Sequence, residues 1–390
     1  MHPDRLLNFS GARFSVVYQL SGDEAAARLK AEDICIEQTI EFPADLVPDG
    51  EIREHIFGRI EHFEALAEGG YCTEISYAVE TSGFELPQLL NVVFGNISIK
   101  PGIRVLSLLL PDALLKAFRG PRFGIQGLRE LTGVHERPLL CSALKPMGLS
   151  PAQLAELAYQ LALGGMDMIK DDHGLANQSF APFRERAARC AEAVAQANRQ
   201  TGGTCLYFPN ITAPADRLME NARFARDAGA GGVVVTPGLT GLDVMRLLAD
   251  DDVFSLPVMS HPAFIGTFVT GAQQGLSHFV LYGQLMRLAG ADASIFPNYG
   301  GRFSFSREAC SEIAAGCWAE MGALRTIFPA PGGGMHLGRI AEMKDCYGSD
   351  VIFLVGGDLH RGEGGLVETT RRFRQMVEGE KGKKKIERRE

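Results

Sequence analysis

The chain has 390 residues, a formal net charge of −8, 46% hydrophobic and 22% charged residues. That is the composition of a soluble globular protein long enough for two domains, or for one large α/β barrel carrying an addition. The acidic balance speaks against nucleic acid as a partner. No run approaches the roughly 18 uninterrupted apolar residues of a membrane span, so a cytoplasmic protein that does not engage a membrane is expected.

In chain order, "RFSVVYQL" (13–20) and "YCTEISYAVE" (71–80) alternate like half-exposed strands and "IRVLSLLLP" (103–111) reads as a more buried one. "DEAAARLKAEDI" (23–34) and "LPQLLNVVF" (86–94) have the character of helices. This predicts a small α+β domain over residues 1–134, of split βαβ type.

From about Val134 the pattern changes to a short apolar run, a Gly, Pro or polar break, and an amphipathic stretch, repeated. The runs are "LLCSALKP", "MDMIKDD", "TCLYFPNIT", "GGVVVTPG", "LPVMSHPAF", "ADASIFPNYG", "RTIFPAPGGG" and "VIFLVGGDLH". Eight strands alternating with helices over 135–378 predict a (β/α)₈ TIM barrel. The rival, a doubly wound sheet, would carry G-x-G-x-x-G after its first strand, and "KPMGLSPAQ" does not. "VETTRRFRQMVEG" is the expected last helix, and "KGKKKIERRE" within 379–390 reads as a solvated basic tail. The eight cysteines contain no C-x-x-C pair, so they read as reduced and buried rather than zinc-binding.

A barrel builds its active site at the C-terminal strand ends. Lys145 closes the first strand, Lys170, Asp172 and His173 the second and Asn210 the third. His261 closes the fifth, and His336 and His360 follow the seventh and eighth. Alternation puts Lys170 and Asp172 on one face and lets both lysines enter the mouth, although "KDD" reads equally well as a Lys–Asp ion pair. The loops "APGGGMH" and "LVGGDLH", with Gly332, Gly333, Gly334, Gly356 and Gly357, offer side-chain-free backbone for a phosphate, or simply make tight turns.

Together these residues resemble the large subunit of ribulose-bisphosphate carboxylase and, more closely, its non-carboxylating relatives, the RuBisCO-like proteins. The resemblance is carried by "FRGPRFGIQGLRELTGVHERPLLCSALKPMGLS", "GGMDMIKDDHGLANQSFAPFRER", "LPVMSHPAF", "APGGGMH" and "VVFGNISIK". It implies a ferredoxin-like N-terminal domain and a homodimer with shared active sites, Glu37 and Asn96 serving the neighbouring subunit. It further implies a carbamate on Lys170, Mg²⁺ held by Lys170, Asp172 and the residue at 173, and Lys145 as the lysine that shuttles the enolisation proton. On that footing Lys145 is expected to be a desolvated general base, with His173 next in line.

The sequence also departs from the carboxylases. "FPNYGGRFSFS" has no lysine, Pro262 stands where an arginine would hold a second phosphate, Met147 replaces a second lysine, and His173 stands where the family has a glutamate. Imidazole suits Mg²⁺ poorly, so either the metal site is altered or His173 is an acid–base group. The resulting expectation is an isomerase or enolase that moves a proton beside the carbonyl of a phosphorylated ketose without fixing CO₂. A thiomethyl sugar phosphate of methionine salvage is the substrate the resemblance suggests. A decarboxylase or hydrolase of branched sugar-acid phosphates and a catalytically silent regulator of sulfur metabolism are the alternatives.

Overall fold

The computed structural model describes residues 9–379; the basic tail expected over 379–390 lies, past Gly379, outside the described residues. The first sheet contains β1 (Arg13–Leu20), β2 (Arg59–Ala65), β3 (Tyr71–Ala78) and β4 (Ile103–Leu109), in the order β4-β1-β3-β2. With helices Glu24–Glu37 and Leu86–Phe94 between strands, this is the ferredoxin-like arrangement. Phe14, Val16, Tyr18 and Leu20 alternate into the core from β1 and meet Ala27, Ala31 and Ile34 of the first helix and Leu89, Val92 and Val93 of the second. Their period of two against the helices' three-to-four spacing produces this layer.

β2 has no counterpart in the sequence reading. It is an edge strand whose residues are largely exposed on both faces, so no apolar alternation marks it.

The second sheet holds the eight expected strands: β5 (Leu139–Leu144), β6 (Met168–Asp171), β7 (Leu206–Phe208), β8 (Val233–Val235), β9 (Val258–Ser260), β11 (Ala293–Pro297), β12 (Phe328–Gly332) and β13 (Ile352–Val355). All ladders between them are parallel and follow chain order, with β13 beside β5. The ring closes between β7 and β8 through a parallel bridge from Asn210 to Val234 and hydrogen bonds Val234 N to Pro209 O (2.9 Å) and Ile211 N to Val234 O (3.1 Å). Cys141, Met168, Phe208, Val234, Met259, Ile295, Phe328 and Ile352 fill the interior, large side chains against small ones such as Ala293 and Ala330.

One further strand, β10 (Gly275–Leu276), leaves the barrel and adds in parallel to the free edge of β4. Gln274 Nε2 donates to Ser98 O at 3.3 Å and Gln284 bridges the backbone of Leu108. These contacts fix the turn carrying Asn96 against a barrel loop. All eight cysteines are free, six of them buried, and no helix among the described residues is long and apolar enough to cross a membrane.

Candidate active site

β6 sorts its residues by face. Met168 and Lys170 point into the barrel, and Ile169 and Asp171 point outward. Asp171 is wholly buried, and its carboxylate accepts from Arg186 Nε (2.9 Å), Tyr207 Oη (2.7 Å) and the Asn210 amide (3.0 Å). Arg186, equally buried, also donates to the carbonyls of Ala181 and Ala176. Asn210 Nδ2 binds the carbonyls of His173 and Leu175. The loop after β6 is thereby fastened from beneath, with every charged group paired as burial demands.

Lys170 caps the interior. It is 1% exposed, its Nζ donates to Asp171 O at 2.8 Å, and burial pushes its amine below the usual lysine range. Lys145 differs from the expectation. Its side chain is 42% exposed and its Nζ lies 2.7 Å from Asp172 Oδ1, so it is an ion-paired ammonium at the surface of the mouth. The desolvated lysine is Lys170, too deep to meet a solvent-borne substrate. The position explains the reversal: Lys145 lies just past the last residue of β5, whereas Lys170 is still within β6 and opposite Ala143.

Asp172 joins the two sides of the mouth. The same Oδ1 lies 3.3 Å from His173 Nδ1, and the His173 ring stacks on His261 with centroids 4.3 Å apart and planes at 12°. Burial alone would raise the Asp172 carboxyl. The hydrogen bonds from His173 and Lys145, with the charges of Lys145 and Lys170, outweigh it and hold the group well below the ordinary carboxylate range. His261 is pushed down to about 2, first by burial and then by the positive charges around it, so it stands as a neutral imidazole whose Nδ1 accepts from the Ala263 amide (3.2 Å). Of the four histidines expected at the rim, these two come together, while His336 and His360 are exposed.

The glycine loops divide into two kinds. Side chains added at Gly333, Gly356 or Gly357 would meet nothing within 4 Å, so backbone there is open to a ligand. Gly332 instead packs on Leu354, and Gly334 (φ +66°) faces the Gly301 backbone at 2.9 Å from the added carbon. Those two serve loop contact. Arg339, which the sequence reading missed, donates to Tyr299 O (3.0 Å) and Gly334 O (3.3 Å) and ties the lysine-free loop after β11 to the loop after β12.

Glu37 and Asn96 do meet: Asn96 Nδ2 donates to Glu37 Oε1 at 3.0 Å and Lys100 Nζ to Oε2 at 3.1 Å. The Lys100 and Asn96 hydrogen bonds hold the Glu37 carboxyl below its usual range. Among the described residues neither is bonded to Lys145, Asp172 or His173. A cavity of about 390 Å³ lined by Arg184, Thr212, Arg217 and Glu220 shares Ala176 and Asn210 with the residues above. Lys145, Asp172, His173 and His261 are the chemically equipped group; the cavity lies between the loops after β6 and β7 and the helices that follow them.

Comparison with known proteins supplies the family. Residues 124–299 match the catalytic domain of the ribulose bisphosphate carboxylase large chain. A solved structure of a Rubisco-like protein from Rhodopseudomonas palustris superposes with a TM-score of 0.85 at 41% identity, covering 94% of this chain and 97% of the other. The chain belongs to the RuBisCO large-chain family, among its RuBisCO-like members. It is also 39% identical over 374 residues to a 5-methylthioribulose-1-phosphate isomerase of Rhodospirillum rubrum, covering 94% of this chain and 96% of the relative. With a 2,3-diketo-5-methylthiopentyl-1-phosphate enolase of Geobacillus thermodenitrificans it shares 34% over 373 residues, covering 91% and 90%.

The Mg²⁺ expected in this RuBisCO-like chain at Lys170, Asp172 and His173 meets a donor set that does not suit it. Of these three residues Asp172 alone is a carboxylate, and a hard ion prefers several oxygens. Among the described residues no three His, Cys, Asp or Glu are grouped to hold a metal ion.

Proposed function

We propose that this RuBisCO-like protein is an isomerase or enolase that moves a proton next to the carbonyl of a phosphorylated ketose, without fixing CO₂. The observation that carries the reading is that two proton carriers, Lys145 and His173, share one oxygen of Asp172 at the open mouth. Both side chains are about two-fifths exposed and so can meet a substrate.

In this mechanism the Lys145 ammonium gives its proton to the carbonyl oxygen while the His173 imidazole takes the proton from the neighbouring carbon. An enediol, a neutral amine and an imidazolium result, and reversal at the other carbon completes an isomerisation. Asp172 stabilises the imidazolium as it forms, as the carboxylate of a triad does. His261, stacked behind, fixes the ring plane. The open backbone at Gly333, Gly356 and Gly357 receives the phosphate, and β13 lies beside β5, which places the Gly356–Gly357 loop next to the Lys145 strand end.

The names of the relatives support a thiomethyl sugar phosphate, and 5-methylthioribulose 1-phosphate is the first compound to try. The Glu37–Asn96–Lys100 group, which among the described residues is not bonded to Lys145, Asp172 or His173, supports a homodimer in which each Glu37–Asn96 pair serves the neighbouring chain.

Incubation with that substrate in deuterated buffer, followed by NMR, is expected to show isomerised product carrying solvent deuterium on carbon, from a protein of dimer mass by light scattering. No exchange with any phosphorylated ketose in a panel would refute the reading.

A further inference from the structure

The mismatch between the donor set and Mg²⁺ extends to charge. Asp171, the second carboxylate of the motif, is turned away from the mouth and spent on Arg186, Tyr207 and the Asn210 amide. Of the motif's two carboxylates Asp172 alone is left facing the mouth, and its charge is already matched by Lys145 at 2.7 Å on the same oxygen that His173 approaches at 3.3 Å. The His173 Nδ1 is already directed at Asp172 Oδ1, so offering it to a metal would mean breaking that contact. Were Lys170 carbamylated, two oxygens would be added. Mg²⁺ and the Lys145 ammonium would still compete for one carboxylate, with three positive charges against two negative in a partly buried mouth.

We infer that in this chain the Lys145 ammonium occupies the place of the divalent cation: it is the electrophile that polarises the substrate carbonyl, and the site works without Mg²⁺. The chemical role rests on the proposed isomerase reading; the exclusion of the metal does not, since it follows from the donors and charges alone. His173 is the residue that removes the metal, by replacing an oxygen donor with a nitrogen already committed to Asp172.

The test measures binding without substrate. Wild-type protein is dialysed against millimolar MgCl₂ in bicarbonate buffer, and bound magnesium per chain is counted by elemental analysis, with isothermal titration as a second readout. The expected result is well under one-tenth of an ion per chain for the wild type and close to one for His173→Glu. One tightly bound Mg²⁺ per wild-type chain would overturn the inference, as would a folded His173→Glu protein that binds no better than wild type. The wild-type count decides the matter if the variant does not fold. With a turned-over substrate in hand, the wild-type rate in EDTA should stay within twofold of the rate with added Mg²⁺, whereas a tenfold loss in EDTA contradicts the inference. Absence of turnover on every ketose would bear on the isomerase reading and leave the metal count standing.

Discussion

The two halves of the barrel mouth are built on opposite principles. After β5, β6 and β9 the rim is made of side chains that hold one another: Lys145 and His173 on Asp172, His173 on His261, and Asp171 on Arg186. After β12 and β13 it is made of backbone with empty space above Gly333, Gly356 and Gly357. On the proposed reading the first half moves protons, its charges being fixed in relation to each other, and the second receives the phosphate, no side chain lying over its backbone. Substitutions in the first half should therefore cost chemistry or folding, and those in the second only affinity.

The sharpest break is Lys145→Met. It removes the surface ammonium from Asp172 without opening the core, and a fall in kcat of about 10²–10⁴-fold is expected with KM little changed. A variant that keeps its kcat and only raises KM would reduce Lys145 to a phosphate contact and blur the division between the halves.

Next in size is Arg186→Met. It strands the Asp171 carboxylate, whose pair is wholly buried on both sides, and should lower unfolding stability by about 3–5 kcal/mol in a denaturant titration. A loss below about 1 kcal/mol would show that Tyr207 and the Asn210 amide suffice to hold the carboxylate.

The smallest effect is expected in the open half. Gly357→Ala adds a methyl group that meets no protein atom within 4 Å, so stability should stay within about 0.5 kcal/mol. The KM for the phosphorylated substrate should rise roughly tenfold at unchanged kcat if, as proposed, backbone approaches the phosphate there. Unchanged KM would remove this loop from phosphate binding.

The sequence alone determined the architecture and the cast of residues. Apolar runs at period two and helices at period three to four gave all eight barrel strands and a small N-terminal α+β layer. They also put Lys170 on the inward face, because such patterns are local consequences of which side chains must leave water. β2 and β10 escaped that reading, one an exposed edge and the other two residues long, since neither buries enough to leave a pattern. What only the tertiary structure decided is which lysine is dry. Spacing placed Lys145 and Lys170 at equivalent strand ends, yet one residue beyond the last ladder position leaves Lys145 in reach of solvent and of Asp172, while Lys170 sinks beneath the mouth. The stacking of His173 on His261, 88 positions away in the chain, and the outward turn of Asp171 onto Arg186 were decided in the same way. The energy of a charge depends on the partners and water around it in three dimensions, and a linear sequence states its neighbours but not its surroundings.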